Sequence, residues 1–257
     1  MSRFSNLELG SNAEGNFQQK LAVKDDVYHL GEAQAAFENG EFEQALRAYA
    51  KVLEFNPHNA TAWVGQVRML IELGEFHEAK LWADKALERL PHEPELLAAK
   101  AVALGRSGDL QGALAYSDAA IEEQGGTPYV WLARGDVLLA RSEKRAVFCF
   151  EKALGFFPSN WLFHWLASRI HFFYQKFSIA LKLAQQALEL NAGQSAVWLQ
   201  LGRCQMALGL AVPARNSFEQ ARQLRPDSLA AERALRAQAE QSWWARGRGW
   251  WRQVLSR

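Results

Sequence analysis

Small apolar residues return along this chain at a fixed step. Ala45, Ala79, Ala113, Ala146, Ala180 and Ala214 are separated by 34, 34, 33, 34 and 34 residues. A second series, Ala86, Ala120, Ala153, Ala187 and Ala221, keeps the same register, with Val52 standing in its first position. Each period predicts two helices and a turn. Gly40, Gly74, Gly108 and Gly209 lie between two helical patterns, where a residue able to turn left-handed ends a helix without steric cost. Runs such as AKVLEFNP, DKALERLP and EKALGFFP then close the second helix on Pro57, Pro91 and Pro158, as Pro226 does later, while Gly125 and Ala192 replace two prolines. The two alanine series fall on the second helix of each pair. There a small side chain lets neighbouring backbones approach, and large residues such as Phe55, Phe150 and Phe218 fill the space around them. Trp63, Trp131 and Trp198 mark one slot, alternating with Leu97 and His164. Each unit therefore reads as a helical hairpin.

The order Trp, Leu-Gly, Ala, Phe, Ala, Pro in a 34-residue period resembles the tetratricopeptide repeat family. Trp198, Leu201, Gly202, Ala214, Phe218, Ala221 and Pro226 carry that pattern most fully. On this resemblance the units are 26–59, 60–93, 94–127, 128–160, 161–194 and 195–228, following a flexible segment over 1–25. The fourth unit lacks one residue and its turn glycine near Arg141 to Lys144, and the fifth has Tyr174, Gln175 and Lys176 there. The resemblance implies an all-α, right-handed α-solenoid of six hairpins whose first helices line a concave face that binds segments of partner proteins. A C-terminal capping helix over 229–242 follows, with Glu232 and Arg236 spaced as an i,i+4 pair, to cover the apolar face that the last repeat would leave open.

Composition narrows the function. With 29 Lys and Arg against 28 Asp and Glu, the net charge of +1 supplies no global field for nucleic acid. Cys149 and Cys204 are the two cysteines and have neither disulfide-framework nor zinc spacing, so both are expected as reduced core thiols in a cytoplasmic setting. The N-terminus has no signal-peptide run, and no stretch reaches the ~20 apolar residues that span a bilayer. No catalytic motif stands out, the repeats leave no room for a further domain, and no cofactor or metal is expected. His164 and His171 lie two turns apart on one helix and read as structural or groove-lining residues.

The expected function is a non-enzymatic scaffold or adaptor. By register, the inward slot of successive units holds Gln34, Arg68, Val102, Asp136, Arg169 and Arg203, so three of six are arginine. Trp165 lies one turn before Arg169, with Phe172 and Phe173 one turn after, and an arginine can stack on such rings while its fork stays available to a carboxylate. Tyr129, Trp165, Phe172 and Phe173 are then apolar anchors, and Arg68, Arg169 and Arg203 select an acidic partner segment. The other reading makes these arginines solvated residues paired to nearby Glu and the aromatics ordinary inter-repeat core. If the groove reading holds, Arg169→Glu weakens the partner and leaves unfolding nearly unchanged. The family's lysine and asparagine set that clamps a chaperone's terminal carboxylate is absent. The tail over 243–257 is a second surface, with Trp243, Trp244, Trp250 and Trp251 beside four arginines and no acid. It fits back-packing on the last repeats, partner or self-association, or docking on a membrane surface as a peripheral tether or assembly factor.

Overall fold

A computed structural model describes residues 25–123 and 125–240, and among these every regular element is a helix. Six hairpins follow one another: α1 (Asp26–Glu38) with α2 (Phe42–Phe55), α3 (Ala60–Leu73) with α4 (Phe76–Leu87), and α5 (Pro94–Ser107) with α6 (Leu110–Glu122). They continue as α7 (Pro128–Ala140) with α8 (Ala146–Phe156), α9 (Trp161–Phe173) with α10 (Phe177–Leu190), and α11 (Ser195–Ala207) with α12 (Ala211–Leu224). A last helix, α13, covers 229–240. The chain is an all-α solenoid of stacked hairpins.

Local chemistry sets the helix ends. The N–H groups of Ala62, Gly112 and Val130 donate to the side chains of Asn59, Asp109 and Thr127, which satisfies donors that the first turn of a helix leaves open. Pro94 and Pro128 begin α5 and α7, where a missing N–H costs nothing. Gly40, Gly74, Gly108 and Gly209 all have positive φ, between 74° and 98°. In the two hairpins without a turn glycine, Ser142 and Gln175 take the same left-handed conformation, with φ of 58° and 57°. Thus the turn geometry is kept even where its usual residue is missing. Ser142→Gly should remove about 1–2 kcal/mol of left-handed strain and return about 0.5–1 kcal/mol in unfolded-chain entropy. The expected net gain of about 0.5–1 kcal/mol would appear as a higher urea midpoint with an unchanged slope.

The odd-numbered helices form the inner layer and pack on one another from α3 through α11. Of these, α3 and α5 are buried almost all round, as in the run Leu96 to Gly105, whereas α1 buries only Ala33, Ala36 and Phe37. The even-numbered helices bury a narrow stripe that includes the predicted alanines, Ala79 and Ala86 on α4 being fully covered together with Ala83 between them. Close approach between the layers relies on glycines of the inner helices facing aromatic rings of the outer ones. A Cβ added at Gly135 would lie 2.8 Å from the Phe150 ring, and Gly65 and Gly202 face Tyr49 and Phe218 in the same way. Gly135→Val should therefore destabilise by about 2 kcal/mol, a typical overpacking cost. Adding Phe150→Leu should recover part of it in the same unfolding assay.

Candidate functional site: the inner face

Register places Arg68 and Glu72 on α3, Arg106 on α5, Asp136 on α7, Arg169 on α9 and Arg203 on α11. One helix from each successive hairpin thus contributes charge to a common interior. The carboxylates are both taken. Asp136 accepts from Arg106 Nε at 3.1 Å and Nη2 at 2.6 Å, and from the Tyr174 hydroxyl at 2.6 Å, with both charged side chains almost wholly covered. Burial, then the Asp136 charge, pushes the Tyr174 hydroxyl well above its ordinary range, so Tyr174 stays a donor. Glu72 accepts from Arg169 across 97 positions of sequence, through Nε at 2.8 Å and again through Nη2. Burial alone would raise the Glu72 carboxyl. The Arg169 and Arg106 charges, the hydrogen bonds from Arg169 and the Arg68 charge outweigh it and hold the group below its ordinary value.

Four arginines thus face two carboxylates. Arg68 stacks over Tyr129 at 4.0 Å and Phe37 at 5.0 Å from the ring centres. Arg203 has no carboxylate partner among the described residues and lines two clefts. Burial and the neighbouring Arg169 charge push its pKa down to about 10, the signature of an under-compensated cation. The first cleft, about 520 Å³, lies between α3, α5, α9 and α11 and also presents Phe76, Phe172 and Phe173. The second, about 490 Å³, runs toward α13 and is lined by Phe172, Met206, Phe218 and Arg233 besides Arg203.

The predicted site residues have different places. Arg169, expected to hold its fork out to a partner, gives it to Glu72 and stacks over Phe42 at 4.5 Å and Trp165 at 5.3 Å. Trp165 is 1% exposed, with its indole N–H donating to the Ala196 carbonyl at 3.2 Å, so it offers no surface in this arrangement. Phe173 is 42% exposed, meets Phe76 edge-on at 5.9 Å and carries Arg106 over its ring at 4.3 Å. Phe172 packs against Phe177 at 5.2 Å and walls both clefts. Tyr129 is partly buried under Arg68, and burial pushes its hydroxyl far above the ordinary range. Trp243, Trp244, Trp250 and Trp251 lie outside the described residues. His164 and His171 are both buried, and burial followed by the Lys176 charge pushes His171 down to about 4, which keeps it neutral. Cys149 and Cys204 are free and buried.

Sequence reasoning places Arg106 on the inward side of its helix but missed Glu72 and the pairing of Arg106 and Tyr174 with Asp136. It also missed that the first hairpin meets the fifth and sixth. Phe37 and Phe42 pack on Trp165 at 5.9 and 6.2 Å, and Glu41 pairs with Arg225 at 2.8 Å.

Comparison with known proteins agrees with this architecture. A tetratricopeptide repeat family model matches residues 36–103. The Arabidopsis thaliana protein CTR9 homolog is 34% identical over 110 residues, which is 42% of this chain, and the match spans 10% of that protein's own length. A tetratricopeptide repeat protein from Parabacteroides merdae superposes with a TM-score of 0.53 at 15% identity, over 86% of this chain and 87% of that one. The APC/C hetero-tetramer Cut9-Hcn1 matches with a TM-score of 0.49 at 14% identity, over 85% of this chain and 44% of that one. With the repeat match over residues 36–103 and six stacked hairpins that continue the same 34-residue pattern, the chain is built as a helical-repeat solenoid of tetratricopeptide type.

Proposed function

We propose that this chain is a non-enzymatic, cytoplasmic protein-interaction scaffold that holds an extended partner segment of acidic and apolar character on its inner face. The observation that carries the reading is Arg203, a partly buried guanidinium without a carboxylate partner among the described residues, at the junction of two clefts walled by Phe172. A guanidinium in a low-dielectric recess gains most from a carboxylate that brings both charge and hydrogen-bond acceptors. The apolar walls then take the residues beside that acid, the aromatic-plus-arginine arrangement typical of interface hot spots. Charge selection therefore rests on Arg203 rather than Arg169, whose fork is satisfied internally.

The test uses fluorescein-labelled 12-residue peptides in which Asp or Glu alternates with Leu and Phe, and a matched set with Lys in place of the acids, read by fluorescence polarisation. Binding of the acidic set alone, weakened at least tenfold by Arg203→Glu in a protein of unchanged helicity, supports the reading. Equal binding of both sets, or no change on Arg203→Glu, overturns it.

A further inference from the structure

The sequence Gly-Glu-Phe occurs at the turns of the first two hairpins, as Gly40, Glu41 and Phe42 and again as Gly74, Glu75 and Phe76. Both turns send their phenylalanine to the fifth hairpin. Phe76 meets Phe173 edge-on at 5.9 Å, while the Phe42 ring stacks on Trp165 at 6.2 Å and 27°. At the first turn the contact also includes charge. Arg169 lies over the Phe42 ring, Glu41 pairs with Arg225, and the Gly40 backbone comes so near α11 that an added Cβ would stand 3.4 Å from the Ala196 Cβ. An acid followed by an aromatic is thus received by an arginine, a tryptophan and a second arginine. This is the chemistry that the inner face is suited to take from a partner.

We propose that the Gly40 to Phe42 turn is a built-in ligand mimic: it occupies the seat formed by Trp165, Arg169 and Arg225, and a partner segment carrying an acidic residue followed by an aromatic one competes with it. The inference rests on the partner-binding reading above and adds the partner's sequence chemistry and a form of regulation.

The construction of the contact suits exchange. No helix of the first hairpin packs along a helix of the fifth or sixth among the described residues; the closure is made by side chains around one turn. Glu41 and Arg225 are each about a quarter exposed, so water and salt screen their pair. A tethered occupant is present at an effective concentration in the millimolar range. It therefore lowers the apparent affinity of a partner by the fraction of time the seat is filled.

One chain in two redox states tests this. With Gly40→Cys and Ala196→Cys the two Cβ atoms lie close to the ~3.5–4.5 Å span of a disulfide. The native thiols compete poorly, because both are buried and burial pushes Cys204 up to about 11. The probe is fluorescein-labelled Asn-Gly-Glu-Phe-Glu-Gln-Ala, the chain's own turn sequence, with Asn-Gly-Gln-Ala-Gln-Gln-Ala as control. The expected result is that oxidation forms the crosslink and weakens probe binding at least tenfold, and that reduction restores it. The turn variant Phe42→Ala should bind the probe at least tenfold more tightly than wild type.

Equal probe affinity in both redox states, or no gain from Phe42→Ala, overturns the mimic. Those outcomes leave the scaffold reading standing if Arg203→Glu still abolishes binding of the acidic library. Probe binding that obeys the lock, together with a library that ignores Arg203, supports the mimic and overturns the role given to Arg203.

Discussion

Arg169→Glu is expected to lower unfolding stability by about 3–5 kcal/mol, the cost of breaking a covered ion pair and leaving an uncompensated charge behind. The sequence alone leads to the opposite expectation, a variant that unfolds like wild type. The difference comes from Glu72. Its side chain and that of Arg169 are each 13% exposed, so the substitution sets two carboxylates against one another where water screens little. It also removes the cation over Phe42 and Trp165 and so loosens the first hairpin from the fifth. Urea unfolding of wild type, Arg169→Glu and the exchanged pair Glu72→Arg with Arg169→Glu measures this, and the exchanged pair should regain part of the loss. The pH dependence has a fixed sign. Glu72 titrates below its ordinary value in the folded chain, so its contribution is fully present above the unfolded carboxyl pKa and is lost as the pH falls through the lowered one. The gap between wild type and Arg169→Glu should therefore narrow in acid, where the facing carboxylates take up protons. A variant as stable as wild type at neutral pH would show that the Arg169 to Glu72 pair does not hold the inner layer together.

The hairpins were readable because their determinants are local. Alanine, glycine and proline act within a few residues of where they stand, and Gly40, Gly74, Gly108 and Gly209 turn left-handed as their spacing predicts. Ser142 and Gln175 do the same without the residue type that would announce it, so those two turns were open in sequence. The inner face was readable by half. Register brings Arg68, Tyr129, Arg169 and Arg203 inward, since that follows from helix periodicity. Which arginine meets which carboxylate depends on how far the stack rotates between α3 and α9, a sum of small rotations that no short motif encodes. For the same reason Trp165, an apparent anchor by spacing, is covered by Phe37 and Phe42 from the far end of the chain. The one available signal was the repeated Gly-Glu-Phe, which puts an acid and an aromatic on two successive turns of the same edge.

Asp136→Ala should also cost about 3–5 kcal/mol, for a reason that its companion variants isolate. Among the described residues Asp136 alone accepts from the Arg106 fork, and it also receives the Tyr174 hydroxyl. Removing it strands a guanidinium that is 6% exposed and a hydroxyl that burial keeps protonated. The three residues tie α5 to α7 and to the end of α9, so the loss should concentrate in the middle of the stack. In a nearest-neighbour solenoid, weakening a central interface separates the two ends, and the unfolding transition should broaden as well as shift. Replacing both partners, as in Arg106→Leu with Asp136→Leu, removes the charge together with its counter-charge and should be far less damaging than Asp136→Ala, because an apolar pair of similar volume bears no desolvation cost. Denaturant unfolding of the three chains decides between two origins of the effect. A double variant near wild type assigns the cost of Asp136→Ala to an abandoned charge. A double variant as unstable as the single one assigns it to the geometry of the hydrogen-bonded triad, and makes Tyr174 the residue that fixes how the fifth hairpin is seated on the fourth.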